Sequence, residues 1–219
     1  MTIPDRDLRQ RSIVPPERLA ACDATIVGVG SIGRQVAIQL AALGVPRLQL
    51  IDFDQVEPVN LAVQAYFTED LDRAKVHATA EVCHRLNPQA QLTVHESRFR
   101  RHMAVGDLLF CCVDSIETRA LIWESVRDRV RFFADGRMAA EIIRVLTACD
   151  EPSRRHYPTT LFDAESAHRG ACTTQSTIFT ANIAAGLMIE QFTRFLRGLA
   201  VDDDVQFNLL AMELTVGDT

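Results

Sequence analysis

Three glycines near the start of the chain have the spacing of a loop that holds phosphate groups. Gly28, Gly30 and Gly33 form a G-x-G-x-x-G pattern between an apolar run and a segment with helical spacing. Glycines let the backbone approach a phosphate closely, and the N-terminus of the following helix presents free N–H groups and a positive dipole end. By itself the pattern favours a dinucleotide such as NAD; a tight strand–helix turn without a ligand is the alternative.

Polar side chains downstream of the glycines change the expected nucleotide. Asp52 closes the next apolar run, where a carboxylate can bind ribose hydroxyls, and Asp54 follows it. The amide side chains of Asn60 and Gln64 can contact ribose or phosphate without adding charge. Lys75 stands near the start of the next predicted helix, where its amine can point at a triphosphate.

An acidic residue and several arginines complete the set of candidate groups. Asp114 ends a later apolar run, and a carboxylate at the C-terminal edge of an α/β sheet is well placed to hold Mg²⁺ beside phosphates. Arg6, Arg9 and Arg11 offer mobile cations near the N-terminus. A dehydrogenase needs neither the magnesium aspartate nor the extra cations, whereas an ATP site needs both. The residues therefore predict ATP and Mg²⁺.

Apolar runs and helical segments alternate along the chain. Strands are predicted at 24–30, 47–54, 91–97, 107–115, 131–135 and 141–148, with a final pair near 205–215. Helices are predicted at 31–44, 71–86, 116–129 and 173–199. This order predicts an α/β fold: a doubly wound, mostly parallel sheet with a Rossmann-like ATP-binding half and a few antiparallel C-terminal strands.

The length and local composition predict one domain over residues 1–219, with two irregular parts. Residues 1–22 are predicted to form an N-terminal arm with a helix. Residues 149–171 have few periodic apolar positions, so we expect a long, exposed and mobile crossover loop. His156 and His168 in that stretch are expected to be solvated.

Composition limits the classes of partner and compartment. The net charge is −6 and the basic residues are scattered, which argues against nucleic acid as a partner. No apolar run is long enough to cross a membrane, and the first residues lack the apolar core of a signal peptide, so we expect a cytoplasmic protein. None of the six cysteines forms a C-x-x-C pair, so no zinc is expected.

Taken together, the motifs resemble those of the adenylating enzymes of the ubiquitin-activating superfamily, especially the compact bacterial ThiF/MoeB type. The resemblance rests on RDLRQ, GVGSIG, DFD, NLAVQ, Lys75 and CVDSIETR, which occur in the family's order and spacing over about residues 6–120. It extends to the long predicted helix after Cys172. Each motif alone is weakly specific, but the combination is specific.

The resemblance implies a role for each of these positions. Asp52 would bind ribose, Asn60 and Lys75 would contact phosphates, and Asp114 would orient Mg²⁺. Arg9 would reach the triphosphate of a neighbouring subunit, which implies a homodimer. The implied reaction is attack on the α-phosphate of ATP by the C-terminal glycine carboxylate of a small ubiquitin-like or sulfur-carrier protein. An acyl adenylate forms and pyrophosphate leaves.

One position departs from the family pattern. Val63 stands where the N-L-x-R-Q motif has an arginine, so a cation for the triphosphate is missing. Arg9, Arg34 or Arg119 are candidates to replace it. Otherwise the chain is a poor catalyst or a non-catalytic nucleotide-binding partner.

Cys172 directly precedes the long predicted helix. The N-terminus of a helix lowers the pKa of a thiol, and in related enzymes a cysteine near this junction accepts the acyl group as a thioester or takes part in sulfur transfer. A buried packing role is the alternative. Asp135 and Arg137 stand at the end of the predicted strand 131–135; an ion pair between them is expected, and contact with the tail of the partner protein is the alternative. Trp123 is expected to pack in the core.

Three other functions stay open. An NAD-dependent oxidoreductase accounts for the glycine loop but gives Lys75, Asp114 and the RDLRQ segment no shared task. A nucleotide-binding scaffold subunit accounts for Val63. A relative that adenylates a modified nucleoside carboxylate on tRNA is disfavoured by the net charge of −6.

Overall fold

A single eight-stranded sheet organises the chain, and the computed structural model describes residues 6–162 and 176–217 of it. The strands are β1 Asp23–Val27, β2 Arg47–Asp52, β3 Gln91–Glu96, β4 Leu108–Cys111, β5 Phe132–Ala139, β6 Ile142–Ala148, β7 Asp204–Asn208 and β8 Glu213–Val216. Their order in the sheet is β3-β2-β1-β4-β5-β6-β7-β8. The first five strands in this order pair parallel and the last three pair antiparallel.

Helices lie on both faces of the sheet. They are α1 Pro16–Leu19, α2 Ser31–Leu43, α3 Asn60–Gln64, α4 Lys75–Leu86, α5 Ile116–Val126, α6 Glu151–His156 and α7 Ile178–Arg197, with short 3-10 turns at Thr68–Asp70 and Tyr157–Thr160. The helices α2 and α7 pack on one face, and α5 packs on the other. The predicted fold, a doubly wound and mostly parallel sheet with antiparallel C-terminal strands, is confirmed.

The central strands and helices form where the sequence has continuous or periodic apolar residues. β1, β2 and β4 are almost fully buried because helices cover both faces of the parallel region. The rings of Phe110, Phe132 and Phe192 lie 5.7 to 5.8 Å apart and join β4, β5 and α7. α2 ends at Gly44, which adopts the left-handed conformation with φ of 99°.

The interpretation of residues 149–171 as a long exposed loop is wrong for its first part. Asp150 caps α6 through a reciprocal capping box with Ser153, and the 3-10 turn follows directly. The Tyr157 side chain in that turn is buried, and His156 is only partly exposed and contacts Asp204. Residues 163–171, including His168, lie outside the described residues.

Within the described residues, no helix has both the length and the apolar character needed to span a membrane.

Candidate nucleotide-binding site

The glycine loop follows β1 and leads into α2, and two of its glycines are required by the backbone. Gly28 has a φ of 84°, and a Cβ there would lie 2.8 Å from the carbonyl oxygen of Cys112. A Cβ at Gly33 would overlap the carbonyl oxygen of Gly28. These two positions therefore need glycine for the fold itself, whether or not a ligand is bound.

Gly30 has a different environment. It precedes α2 as the N-cap residue, and no side chain caps the helix there. The nearest atoms to a Cβ at Gly30 would be the amide atoms of Gln64, at 3.9 Å. The Oε1 atom of Gln64 is buried and has no hydrogen-bond partner within the described part of the chain. This space is bordered by uncapped helix N–H groups and an unpaired acceptor, which fits a ligand with phosphate oxygens and hydroxyl groups.

Asp52 holds the glycine loop in place. Its Oδ2 accepts a hydrogen bond from the backbone N–H of Val29 at 2.7 Å, and its Oδ1 accepts one from Asp54 at 2.9 Å. The hydroxyl of Tyr66 donates to the carbonyl oxygen of Val29 at 2.7 Å, so both backbone groups of Val29 are fixed. Because a carboxylate has about four acceptor sites, Asp52 retains capacity for ribose hydroxyls.

Lys75 and Asp54 form an ion pair beside the loop. Lys75 Nζ lies 3.0 Å from Asp54 Oδ2, and the Lys75 backbone N–H donates to the Asp54 carbonyl oxygen at 2.9 Å. The side chain of Lys75 is 8% exposed, whereas that of Asp54 is 47% exposed. Lys75 is also the only lysine in the chain; all other residues among the 23 lysines and arginines are arginines.

Asn60 is the first residue of α3 and is buried. Its Oδ1 atom accepts a hydrogen bond from the backbone N–H of Glu57 at 2.9 Å. This contact orients the amide and leaves its two N–H donors for a ligand.

Asp114 lies in the turn between β4 and α5, next to the glycine loop. The backbone N–H of Cys112 donates to the Val27 carbonyl oxygen at 2.8 Å, and the Cys112 carbonyl abuts Gly28. Asp114 follows two residues later with an exposed side chain, and Ser115 caps α5. Mg²⁺ on a nucleotide is commonly held by one or two carboxylates together with phosphates, so the single carboxylate fits this ion.

No larger metal-binding cluster accompanies Asp114. Between residues 6 and 162 and between 176 and 217, no three His, Cys, Asp or Glu side chains lie close enough to share a metal ion.

The structure does not bring Arg9 to the glycine loop of the same chain. Arg6 donates hydrogen bonds to carbonyl oxygens at the C-terminal ends of α2 and α4, and Gln10 donates to the Leu43 carbonyl oxygen. The loop is at the opposite end of α2, which is about 20 Å long at 1.5 Å per residue. The expectation that Arg6 is a mobile cation is therefore wrong, and the exposed Arg9 faces solvent far from the loop.

Arg34 and Arg119, the other candidates to replace the missing cation at Val63, are both buried and engaged elsewhere. Arg34 donates to the Ala65 carbonyl oxygen and to Thr79 Oγ1, and its guanidinium lies 4.0 Å from the centre of the Tyr66 ring. Burial lowers the pKa of Arg34. Arg119 pairs with Asp135. Neither is available to a triphosphate, so that expectation is wrong.

The described cysteines behave as packing residues. Burial raises the pKa values of Cys111 and Cys112, so both are neutral thiols at physiological pH. Trp123 packs in the core, and Asp135 and Arg137 form the expected ion pair at 2.8 Å. Cys172 lies outside the described residues.

Two supporting groups were not found from the sequence. Tyr66 fixes Val29 through its hydroxyl, and Arg119 binds the turn that carries Asp114. Tyr66 belongs to none of the motifs, and Arg119 ends the CVDSIETR motif but was expected to serve the triphosphate rather than the turn. Lys75 is the only lysine of the chain, and this alone could have singled it out in the sequence as a candidate functional residue.

The fold and the loop define an α/β domain of the nucleotide-binding type. The chain belongs to the ThiF family, whose sequence model matches residues 15–215.

Two curated relatives illustrate the similarity. The chain is 35% identical over 109 residues to the sulfur carrier protein ThiS adenylyltransferase of Escherichia coli K12, a match that covers 47% of this chain and 43% of that protein. It is 26% identical over 221 residues to ubiquitin-like modifier-activating enzyme 5 of Drosophila ananassae, with 89% of this chain and 56% of that protein covered. The matches thus span about half the length of these relatives.

Among solved structures, that of E. coli MccB with ATP superposes with a TM-score of 0.78. The match covers 98% of this chain and 72% of MccB at 16% identity, which supports the shared fold.

Proposed function

We propose that this protein uses Mg-ATP to adenylate the C-terminal carboxylate of a small ubiquitin-like or sulfur-carrier protein. The observation that carries the proposal is the meeting of the open glycine loop, Lys75 and Asp114 at one edge of the sheet, which is the set of groups a metal-bound triphosphate requires. Membership of the ThiF family and the names of the two relatives support the reaction and the class of substrate.

Each polar group has a task in this reaction. The N–H groups at the start of α2 and the amide of Asn60 bind phosphate oxygens, and Asp52 binds the ribose. Lys75 neutralises phosphate charge, and Asp114 holds Mg²⁺, which when bound neutralises the leaving pyrophosphate. The carboxylate oxygen of the substrate attacks the α-phosphorus, and the bond from that phosphorus to the bridging oxygen breaks. The protein contributes position and charge, with no covalent step required of it.

The carrier protein and the oligomeric state are part of the proposal. Arg9 lies too far from the loop of its own chain, so a contribution to triphosphate binding requires a second copy. We therefore propose a homodimer in which each site receives Arg9 from its neighbour. Acyl transfer to Cys172 and a cytoplasmic location remain predictions.

A second candidate is a subunit that binds nucleotide without catalysis. Val63 replaces an arginine of the family motif, and both Arg34 and Arg119 are engaged elsewhere. Of the candidate cations of the same chain, Lys75, which pairs with Asp54, is then the one left for a phosphate. This reading predicts ATP binding with no exchange of pyrophosphate into ATP.

Calorimetric titration with Mg-ATP and separately with NAD tests the proposal, together with pyrophosphate exchange in the presence of glycine-terminated carrier proteins. We expect Mg-ATP binding, with Asp114→Ala weakening it by at least about tenfold, or about 1.4 kcal/mol. Asp128→Ala, at an exposed carboxylate beyond the other end of α5, is the matched control and should bind as the wild type does.

Each other result has a defined meaning. Binding of NAD without a response to ATP overturns the proposal and restores the oxidoreductase. ATP binding with no exchange for any carrier protein favours the scaffold subunit.

A further inference from the structure

A buried ionic cluster lies directly beneath the turn that carries Asp114. It consists of Arg119, Asp135, Arg137 and Tyr157, and is called the Asp135 cluster below. We infer that the Asp135 cluster, acting through Arg119, is a positioning device that holds Asp114 where it can serve a metal-bound nucleotide. The inference rests on the proposed function and concerns residues that make no contact with the nucleotide themselves.

The carboxylate of Asp135 is the centre of the cluster. It is fully buried, with Oδ1 accepting from Arg119 and Oδ2 accepting from Arg137 at 2.8 Å and from the Tyr157 hydroxyl at 3.0 Å. Burial raises the pKa of Tyr157, so its hydroxyl stays a proton donor at neutral pH. Three donors from three separate segments therefore meet on one carboxylate.

Arg119 connects this carboxylate to the turn. Its Nη2 atom donates to the carbonyl oxygen of Val113, the residue before Asp114, and its guanidinium also lies 3.4 Å from the Gly136 carbonyl oxygen. Arg119 is in the first turn of α5, so it reaches back to the segment from which its own helix starts. The planar guanidinium fixes the Val113 peptide relative to the sheet, and the direction of Asp114 follows from that peptide.

The same carboxylate also fixes the 3-10 turn at Tyr157–Thr160. Arg137 donates to the Thr160 carbonyl oxygen at 2.9 Å and to its hydroxyl at 3.2 Å. The Tyr157 ring lies 4.8 Å from the rings of both Trp123 and Phe133. One buried group therefore sets the Asp114 turn and this neighbouring segment relative to each other.

Stability alone does not account for such a cluster. Replacing a buried ion pair by well-packed apolar side chains is often neutral or stabilising, because the charges lose their hydration on burial. A set of directed hydrogen bonds defines geometry more narrowly than apolar packing does. The Asp135 cluster lies beneath Asp114, the carboxylate predicted to hold Mg²⁺, so the geometry that it defines is that of the metal site.

Arg119→Lys tests the inference, with Arg144→Lys as the matched control. Arg144 makes a two-bond ion pair with Asp204 at 2.9 and 2.6 Å, between β6 and β7 and away from the Asp114 turn. ATP affinity is measured by calorimetry in Mg²⁺ and again in EDTA. We expect Arg119→Lys to lose about tenfold in affinity in Mg²⁺, about 1.4 kcal/mol, and nothing in EDTA. Arg144→Lys should keep the wild-type ratio of the two affinities.

Amide hydrogen exchange gives a second readout without nucleotide. The amides of residues 112–116 should exchange faster in Arg119→Lys than in the wild type, and should not change in Arg144→Lys. Should Arg119→Lys fail to fold, Tyr157→Phe replaces it, because it removes one donor from Asp135 and leaves both arginines paired with that carboxylate. Its expected loss in Mg²⁺ is about threefold, consistent with one hydrogen bond.

The results separate this inference from the proposed function. A wild type that binds no ATP overturns both. Mg²⁺-dependent binding by the wild type, with Arg119→Lys or its substitute retaining the wild-type ratio of affinities, overturns the positioning role and leaves the proposed function standing.

Discussion

Gly30 faces the amide of Gln64, which an added Cβ would meet at an ordinary contact distance of 3.9 Å, whereas Gly28 and Gly33 face backbone. The three residues look equivalent in the sequence pattern. Their requirements differ because the fold forbids a side chain at Gly28 and Gly33 but leaves room for one at Gly30. A ligand that occupies this room gives Gly30 its own reason to be glycine.

Gly30→Ala should therefore separate binding from folding. A Cβ at Gly30 would meet only the amide of Gln64, at 3.9 Å, so we expect the free energy of unfolding to change by no more than about 1 kcal/mol. Mg-ATP affinity should fall at least about tenfold because the methyl group occupies the phosphate space. Thermal denaturation and calorimetry check both expectations.

Gly33→Ala is the contrasting variant. Its methyl group would overlap the Gly28 carbonyl oxygen, so we expect little folded protein. Wild-type nucleotide affinity in Gly30→Ala would show that no phosphate approaches this residue.

At the scale of elements, success and failure of the sequence predictions follow from what holds each element in place. β1, β2 and α2 were predicted because buried apolar residues define them. The stretch containing α6 and the following 3-10 turn was missed because polar contacts fix it, among them the Asp150 capping box and the bonds from Arg137 to Thr160. Hydrophobic periodicity carries no information about such contacts.

The candidate site divides in a similar way. The positions of Asp52, Asp54 and Asp114 follow from topology, because the C-terminal ends of parallel strands meet at one edge. The engagement of Arg34 and Arg119 depends on partners far away in sequence, such as Thr79 and Asp135. A linear motif cannot show which cations are already engaged.

Asp204 in β7 contacts Arg144 in β6 and His156 in α6, and these contacts predict that the stability of the fold depends on pH. Burial alone would raise the pKa of Asp204, but hydrogen bonding and charge from Arg144, aided by His156, hold that pKa below its ordinary value of 3.8. A lowered pKa stabilises the fold at pH values above 3.8, and this contribution is lost as the pH falls through the lowered value.

Asp204→Asn should consequently be less stable than the wild type at pH 7, and the difference should shrink as the pH falls below about 4. Urea unfolding at a series of pH values measures the difference. Should the two proteins differ equally at pH 7 and pH 3, the ionised carboxylate is not the source of the stability.

At the scale of the whole molecule, the N-terminal segment and the glycine loop lie at opposite ends of α2. Arg6 and Gln10 bind the C-terminal ends of α2 and α4, and this anchors Arg9 on the side away from the loop. A site that uses Arg9 must then be completed across an interface between two copies.

Co-expression of Arg9→Ala with Asp114→Ala tests this arrangement. Each mixed dimer contains one site with both residues intact, so random pairing should restore about a quarter of wild-type pyrophosphate exchange. Each variant alone should be nearly inactive. A mixture as inactive as its components would rule out sharing of Arg9 between subunits.

The scarcity of lysine has a consequence for the chemistry proposed here. An acyl adenylate readily acylates amines, and the side chain of Lys75 is buried and paired with Asp54. Because every other residue among the 23 lysines and arginines is an arginine, the surface of this chain offers such an intermediate no ε-amino group to modify. The acyl adenylate would therefore not be consumed by acylation of the protein that makes it. A reagent that modifies side-chain amines would react only at Lys75, and so would report on the nucleotide site.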